Sequence, residues 1–187
     1  GLRTATHAFN IEDNDSKWAH WSFNYKGDKK AWTKGFGELV LGSTWVSHHG
    51  WHKYESTRGI LAGKHEIVNG IGEGDIWGPT DVYGVNLPLV GDSEAIVYGQ
   101  VVAGMGKLHP EIGAGPYDRV PGYGKEPGFN KNDPLMPVAW TKTYQYPGGK
   151  SGKVFATTMG SSNDLSTEGT RRMVVNAVFW TLGIPVP

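Results

Sequence analysis

Between Val138 and Leu182 the chain reads as strand, turn, strand, polar turn, helix, and no other stretch constrains its fold as tightly. Val138 to Tyr144 and Lys153 to Met159 are two β-prone runs, and Pro147-Gly148-Gly149 between them marks a hairpin with a long turn. Gly160-Ser161-Ser162-Asn163-Asp164 is a turn. Ser166 or Thr167 then caps a helix with Glu168 in its first turn and Met173, Val174, Ala177, Val178 and Thr181 at helical spacing. Gly183 and Pro185 stop it. A strand that delivers a Gly/Ser turn to a helix N-terminus is where open α/β sheets place ligands. Only this one helix is clear, however, which is too little to cover both faces of such a sheet.

Upstream the signals are shorter. Glu38 to Leu41 and Ala95 to Val102 read as strands, and the glycines at 70, 72, 74 and 78 mark turns. Residues 10–34 are polar and aromatic without a period, and residues 104–134 carry Pro110, Pro116, Pro121, Pro127 and Pro134, which exclude a long helix. Both read as loop insertions in a single domain spanning 1–187. With 28 Gly and 11 Pro the whole chain is loop-rich.

Charge and cysteine remove several function classes. Eighteen basic residues balance eighteen acidic ones, so nothing demands nucleic acid or an anionic membrane as partner. The absence of cysteine excludes disulfides, thiolate metal sites and cysteine nucleophiles. No apolar run is long enough to span a membrane, and Gly1 to His7 is not a signal peptide. The compartment stays open, with an extracytoplasmic or periplasmic setting favoured over the cytoplasm.

Three of seven histidines fall in Ser47-His48-His49-Gly50-Trp51-His52. An i, i+4 pair such as His48 and His52 can supply two zinc ligands from a helix, but H-E-x-x-H is absent and no carboxylate stands out as a third ligand. Hydrogen bonding within the loop is therefore the preferred reading; no cofactor is predicted, with divalent zinc as the alternative. Glu55, Asp75 and Asp81 are candidate acid/base carboxylates, although Asp beside Gly and Pro commonly serves turns. The turn Thr157 to Ser162 offers N–H groups to an anion, or else caps the helix. Gly148-Gly149-Lys150-Ser151 is not a P-loop, because Tyr144 stands where its first glycine belongs. Trp18, Trp21, Trp32, Trp45, Trp51 and Trp77 crowd polar loops, and flat aromatic faces beside amides and carboxylates suit a polyhydroxylated ligand such as a sugar.

At Gly1-Leu2-Arg3-Thr4-Ala5-Thr6-His7-Ala8-Phe9 the sequence resembles the ThuA (trehalose-utilisation) family, with its G-L-x-x-A-T-H-x-F segment. Gly42 to His49, Pro137-Val138-Ala139-Trp140, Gly152 to Gly160 and the helix from Arg171 to Gly183 agree with it, and Trp77 to Tyr83 is similar to variants of planctomycete-type bacterial genomes. The resemblance implies a flavodoxin-like, class I glutamine amidotransferase-like three-layer α/β sheet. It places Gly1 inside a central strand, so the chain is expected to lack N-terminal βα units and to need that segment or a partner chain to complete the fold. Without the family's cysteine, and with Ser161 where many relatives read Gly-His, glutamine amidotransferase chemistry is excluded.

The function expected from this is that of a ThuA-like protein acting on, or binding, a sugar or sugar derivative in carbohydrate utilisation. Its catalytic candidates are His7, His49 and Arg3; its ligand-binding candidates are His48, Trp51, Trp77, Asp81, Tyr83, Ser161 and Ser162. The alternatives are a non-catalytic carbohydrate-binding or scaffold domain and a His-ligated metal-dependent hydrolase.

Overall fold

The C-terminal hairpin forms one side of a five-stranded sheet. The fold comes from a computed structural model, which describes residues 1–7, 9, 15–27, 35–104, 130–145 and 148–187. In chain order the strands are β1 (Trp45–His48), β2 (Glu55–Leu61), β3 (Trp77–Gly78), β4 (Tyr83–Val85), β5 (Glu94–Ala103), β6 (Met136–Gln145) and β7 (Ser151–Thr157), followed by helix α1 (Glu168–Leu182). The main sheet runs β3-β2-β5-β6-β7, and β1 pairs separately with β4. At its centre Gly59 lies opposite Gly99. A Cβ at Gly99 would run into Val138 Cγ1, and one at Gly59 into Ile76, so the missing side chains let these apolar groups reach the sheet.

One core packs under α1. Met173 and Ala177 join Ile67, Ile76, Val97, Val138 and Phe155. Burying a methionine side chain such as Met173, which is 0% exposed, is worth about 1.5–3 kcal/mol. Asn176 is buried beside it and donates from Nδ2 to the carbonyls of Ile67 and Asn69, at 3.0 Å each. Gly183 ends the helix in the left-handed region, as expected. Val178, in contrast, points outward with Val175 and Leu182.

A second core gathers Val40, Leu41, Val85, Val154 and Ala156 around Trp140, whose indole N–H donates to the Leu41 carbonyl at 2.6 Å. Gly37–Leu41 is a π-helical turn rather than the strand expected from its apolar run. Three consecutive apolar residues, Leu39 to Leu41, carry no decisive period, and tertiary packing settles the outcome.

The mixed α/β class agrees with the sequence expectation. The five-stranded sheet is antiparallel throughout, however. The described strands therefore do not form the parallel sheet of a flavodoxin-like frame. Parallel neighbours need crossover connections, commonly helices, and α1 is the one long helix among the described residues. The single isolated parallel bridge among them joins Leu2 to Thr157. Much of both expected insertions, at 10–34 and 104–134, lies outside the described residues. No helix of the described residues is long and apolar enough to cross a membrane.

Candidate functional site

The short β1–β4 pair builds the site. Register places His48 opposite Tyr83, and the N–H groups of His49 and Gly50 both donate to the Val82 carbonyl at 2.9 Å. Gly50 suits this close approach, since a Cβ would sit 3.0 Å from the Val82 nitrogen and 3.1 Å from Asp81 Cβ and would press on both. This tight approach sets the histidine loop over Asp81. His48 ends a strand and His52 lies in the turn beyond it, so their spacing of four arises without a helix.

Asp81 is the centre. Its side chain is 1% exposed; Oδ1 accepts from Arg3 Nη2 at 2.9 Å and lies 3.1 Å from His52 Nδ1, while Oδ2 lies 2.7 Å from His48 Nδ1. Burial by itself would raise this carboxyl, but the hydrogen bonds of His48 and His52 and the charge of Arg3 outweigh it and hold the group below its ordinary range. Arg3 is buried, has a left-handed backbone at φ 42°, and donates from Nη1 to the carbonyls of Asp81 and Thr158 at 2.8 and 2.9 Å. Its guanidinium carbon also lies 3.6 Å from the centroid of the Tyr83 ring. Burial raises the Tyr83 phenol above its usual value.

Aromatic rings wall one side. His7 stacks on Trp45 with centroids 4.5 Å apart and meets Tyr83 edge-on at 5.3 Å. The His7 Nδ1 is buried with no hydrogen-bond partner among the described residues. Burial, then Arg3 and His48, lower its pKa, which favours the neutral ring. The rings of His48 and His52 lie 4.6 Å apart, with side chains 42% and 50% exposed.

Of the residues expected from sequence, Arg3, His7, His48, Asp81 and Tyr83 thus converge, and His52 joins them. Others do not. His49 directs Nε2 to the Lys131 carbonyl at 2.7 Å. Trp51 stacks on Tyr54 at 4.1 Å, and its backbone N–H donates to Glu55 Oε2. Trp77 sits in β3, where its indole N–H donates to Ser56 and its carbonyl accepts from Thr170. The amides of Gly160 and Ser161 donate to Asp164 Oδ2, so this turn's N–H groups serve an internal carboxylate; Ser162 is exposed. Asp164 also accepts from Thr80 Oγ1 at 2.8 Å, which ties the turn to the residue preceding Asp81.

Sequence reasoning missed two supporting groups. Asp164 looked like a turn residue, and its spacing from Ser161 was the available signal. Lys131 lay in an expected insertion, yet it is 2% exposed and its Nζ reaches Glu55 Oε2 at 2.7 Å. Burial lowers the Lys131 ammonium pKa, against the opposing pull of Glu55. This pair braces the loop from behind, through Trp51 and His49.

Chemically, a buried carboxylate that fixes two imidazoles by Nδ1 leaves their Nε2 atoms available for proton transfer. His48, His52 and Asp81 also each offer a donor atom within 4.8 Å of one another and could hold a metal ion. A separate apolar cavity of about 570 Å³, lined by Gly1, Val40, Tyr144, Val154 and Phe155 among others, shares no residue with this cluster. No family model, no curated protein and no solved structure matches the chain.

Proposed function

We propose that the chain is a ThuA-like protein that binds and acts on a sugar or sugar derivative at the Asp81 cluster. The observation that carries this reading is Asp81 itself, a buried carboxylate that orients two exposed imidazoles beside an aromatic wall. A sugar ring stacks on such a wall through its C–H face and presents hydroxyls to the imidazoles. With Nδ1–H held by Asp81, the His48 Nε2 takes a proton from a sugar hydroxyl and the imidazolium so formed gives it back, while the His52 Nε2 accepts a hydrogen bond from a second hydroxyl. His49, with its Nε2 engaged by Lys131, acts on the loop's shape instead. Arg3 works through Asp81, keeping it ionised and in place.

The flavodoxin-like frame belongs to the same reading. The parallel bridge of Leu2 with Thr157, extended by Arg3 N–H on the Met159 carbonyl at 3.0 Å, supports Gly1 to Arg3 as the family's strand and elbow. The apolar cavity beside Gly1 and β7 supports a further segment or partner chain packing there.

Calorimetric titration against a panel of mono- and disaccharides, sugar acids and sugar phosphates tests the proposal, with NMR to follow turnover. At least one sugar binds, and His48→Ala weakens it tenfold or more (about 1.4 kcal/mol) while His65→Gln leaves it unchanged. Equal binding by His48→Ala, or no binding across the panel, contradicts it.

A further inference from the structure

The histidine loop suggested two metal ligands and lacked a third; the fold supplies it from thirty-three residues away. We propose that His48 Nδ1, His52 Nδ1 and an Asp81 carboxylate oxygen form a two-histidine, one-carboxylate site for a single divalent first-row transition ion. It deepens the reading of this cluster as the sugar site and rests on that reading only for the ligand, not for the metal.

The geometry fits a coordination shell. Metal–ligand bonds of about 2.0–2.2 Å place neighbouring donors roughly 3 Å apart. Here His48 Nδ1 lies 2.7 Å from Oδ2 and His52 Nδ1 lies 3.1 Å from Oδ1, and one donor atom from each of the three residues lies within 4.8 Å of the others. The ion sits between the two Nδ1 atoms and the carboxylate, with each ring bound as a neutral imidazole that carries its proton at Nε2, so in the metal-loaded site the ion rather than His48 Nε2 activates the sugar hydroxyl. Asp81 keeps its outer partner, because Arg3 Nη2 bonds Oδ1 from the protein side and fixes the carboxylate's orientation.

The donor set also selects the metal. Two imidazoles and one carboxylate already neutralised by Arg3 offer little charge to a hard cation, so magnesium and calcium are disfavoured. Cobalt, nickel, zinc and copper, which favour imidazole nitrogen, are preferred. Because the His48 and His52 side chains are 42% and 50% exposed, the remaining positions face solvent. Two neighbouring hydroxyls of a polyhydroxylated ligand can replace water there, and a bound ion lowers the pKa of such a hydroxyl.

The test is cobalt(II) titration of chelator-stripped protein, followed by visible absorption and by metal analysis after dialysis. One cobalt binds per chain, zinc displaces it, and excess magnesium does not. His48→Ala and His52→Ala each weaken cobalt at least about tenfold, a typical loss for a ligand shell. Both side chains are exposed, and unchanged thermal melts of the variants confirm folding. Failure of the wild type to retain cobalt, or retention undiminished in the doubly substituted chain, overturns the site. Sugar binding in the presence of chelator is measured separately: if it persists undiminished, chelation of the sugar is overturned while the sugar site stands.

Discussion

Arg3 donates to Asp81 twice, from Nη2 to the carboxylate at 2.9 Å and from Nη1 to the main-chain carbonyl at 2.8 Å. One guanidinium therefore fixes both the charge and the backbone of the acid on which two imidazoles depend. Arg3→Ala leaves a buried carboxylate without its cation and costs about 3–5 kcal/mol in denaturant unfolding. Arg3→Lys recovers little of this, because a single ammonium cannot span Asp81 and Thr158 as a fork does. Full stability in Arg3→Lys contradicts the assignment.

A second prediction concerns the brace behind the histidine loop. Glu55 and Lys131 are 0% and 2% exposed and joined at 2.7 Å. Removing either partner alone, as Glu55→Gln or Lys131→Met, costs about 3–5 kcal/mol, whereas the double variant lies closer to wild type. A double-mutant cycle read by chemical denaturation checks this. Additive losses would mean that the two groups are not coupled.

His65 provides a pH test remote from the Asp81 cluster. Its Nδ1 accepts the Ile67 N–H at 3.1 Å, which requires an unprotonated nitrogen, and its ring meets Trp180 edge-on at 5.4 Å. Burial lowers its pKa, with Lys153 adding and Glu94 and Glu66 opposing. As pH falls below the ordinary value of about 6.5, the unfolded chain takes up the proton first, so stability declines until the lower folded value is passed. The His65→Gln chain lacks this component, and its unfolding free energy falls less steeply over that window. Parallel curves for the two chains would refute it.

What could be read in advance was local. Strands β6 and β7, their hairpin and α1 follow from alternation, turn residues and helical spacing within one continuous stretch. Glu38 to Leu41 is a π-helical turn and not a strand because three apolar residues fit either period, and contacts such as Trp140 with the Leu41 carbonyl decide between them. At the site, the residue types were visible but not their partners. The bonds of His48 and His52 to Asp81 depend on β1 pairing with β4, and Lys131 reaches Glu55 across seventy-six positions. No short-range periodicity encodes such a meeting. The i, i+4 spacing singles out His48 and His52, which a strand end and a turn, not a helix, bring together at Asp81.

The most direct test of the Asp81-centred site is a long-range ¹H–¹⁵N spectrum of the chain labelled at histidine, recorded with and without the sugar that calorimetry selects. The free protein is expected to show both His48 and His52 protonated at Nδ1, and sugar to move their Nε2 signals while His65 stays fixed. Unmoved His48 and His52 signals in the presence of saturating sugar would contradict that site.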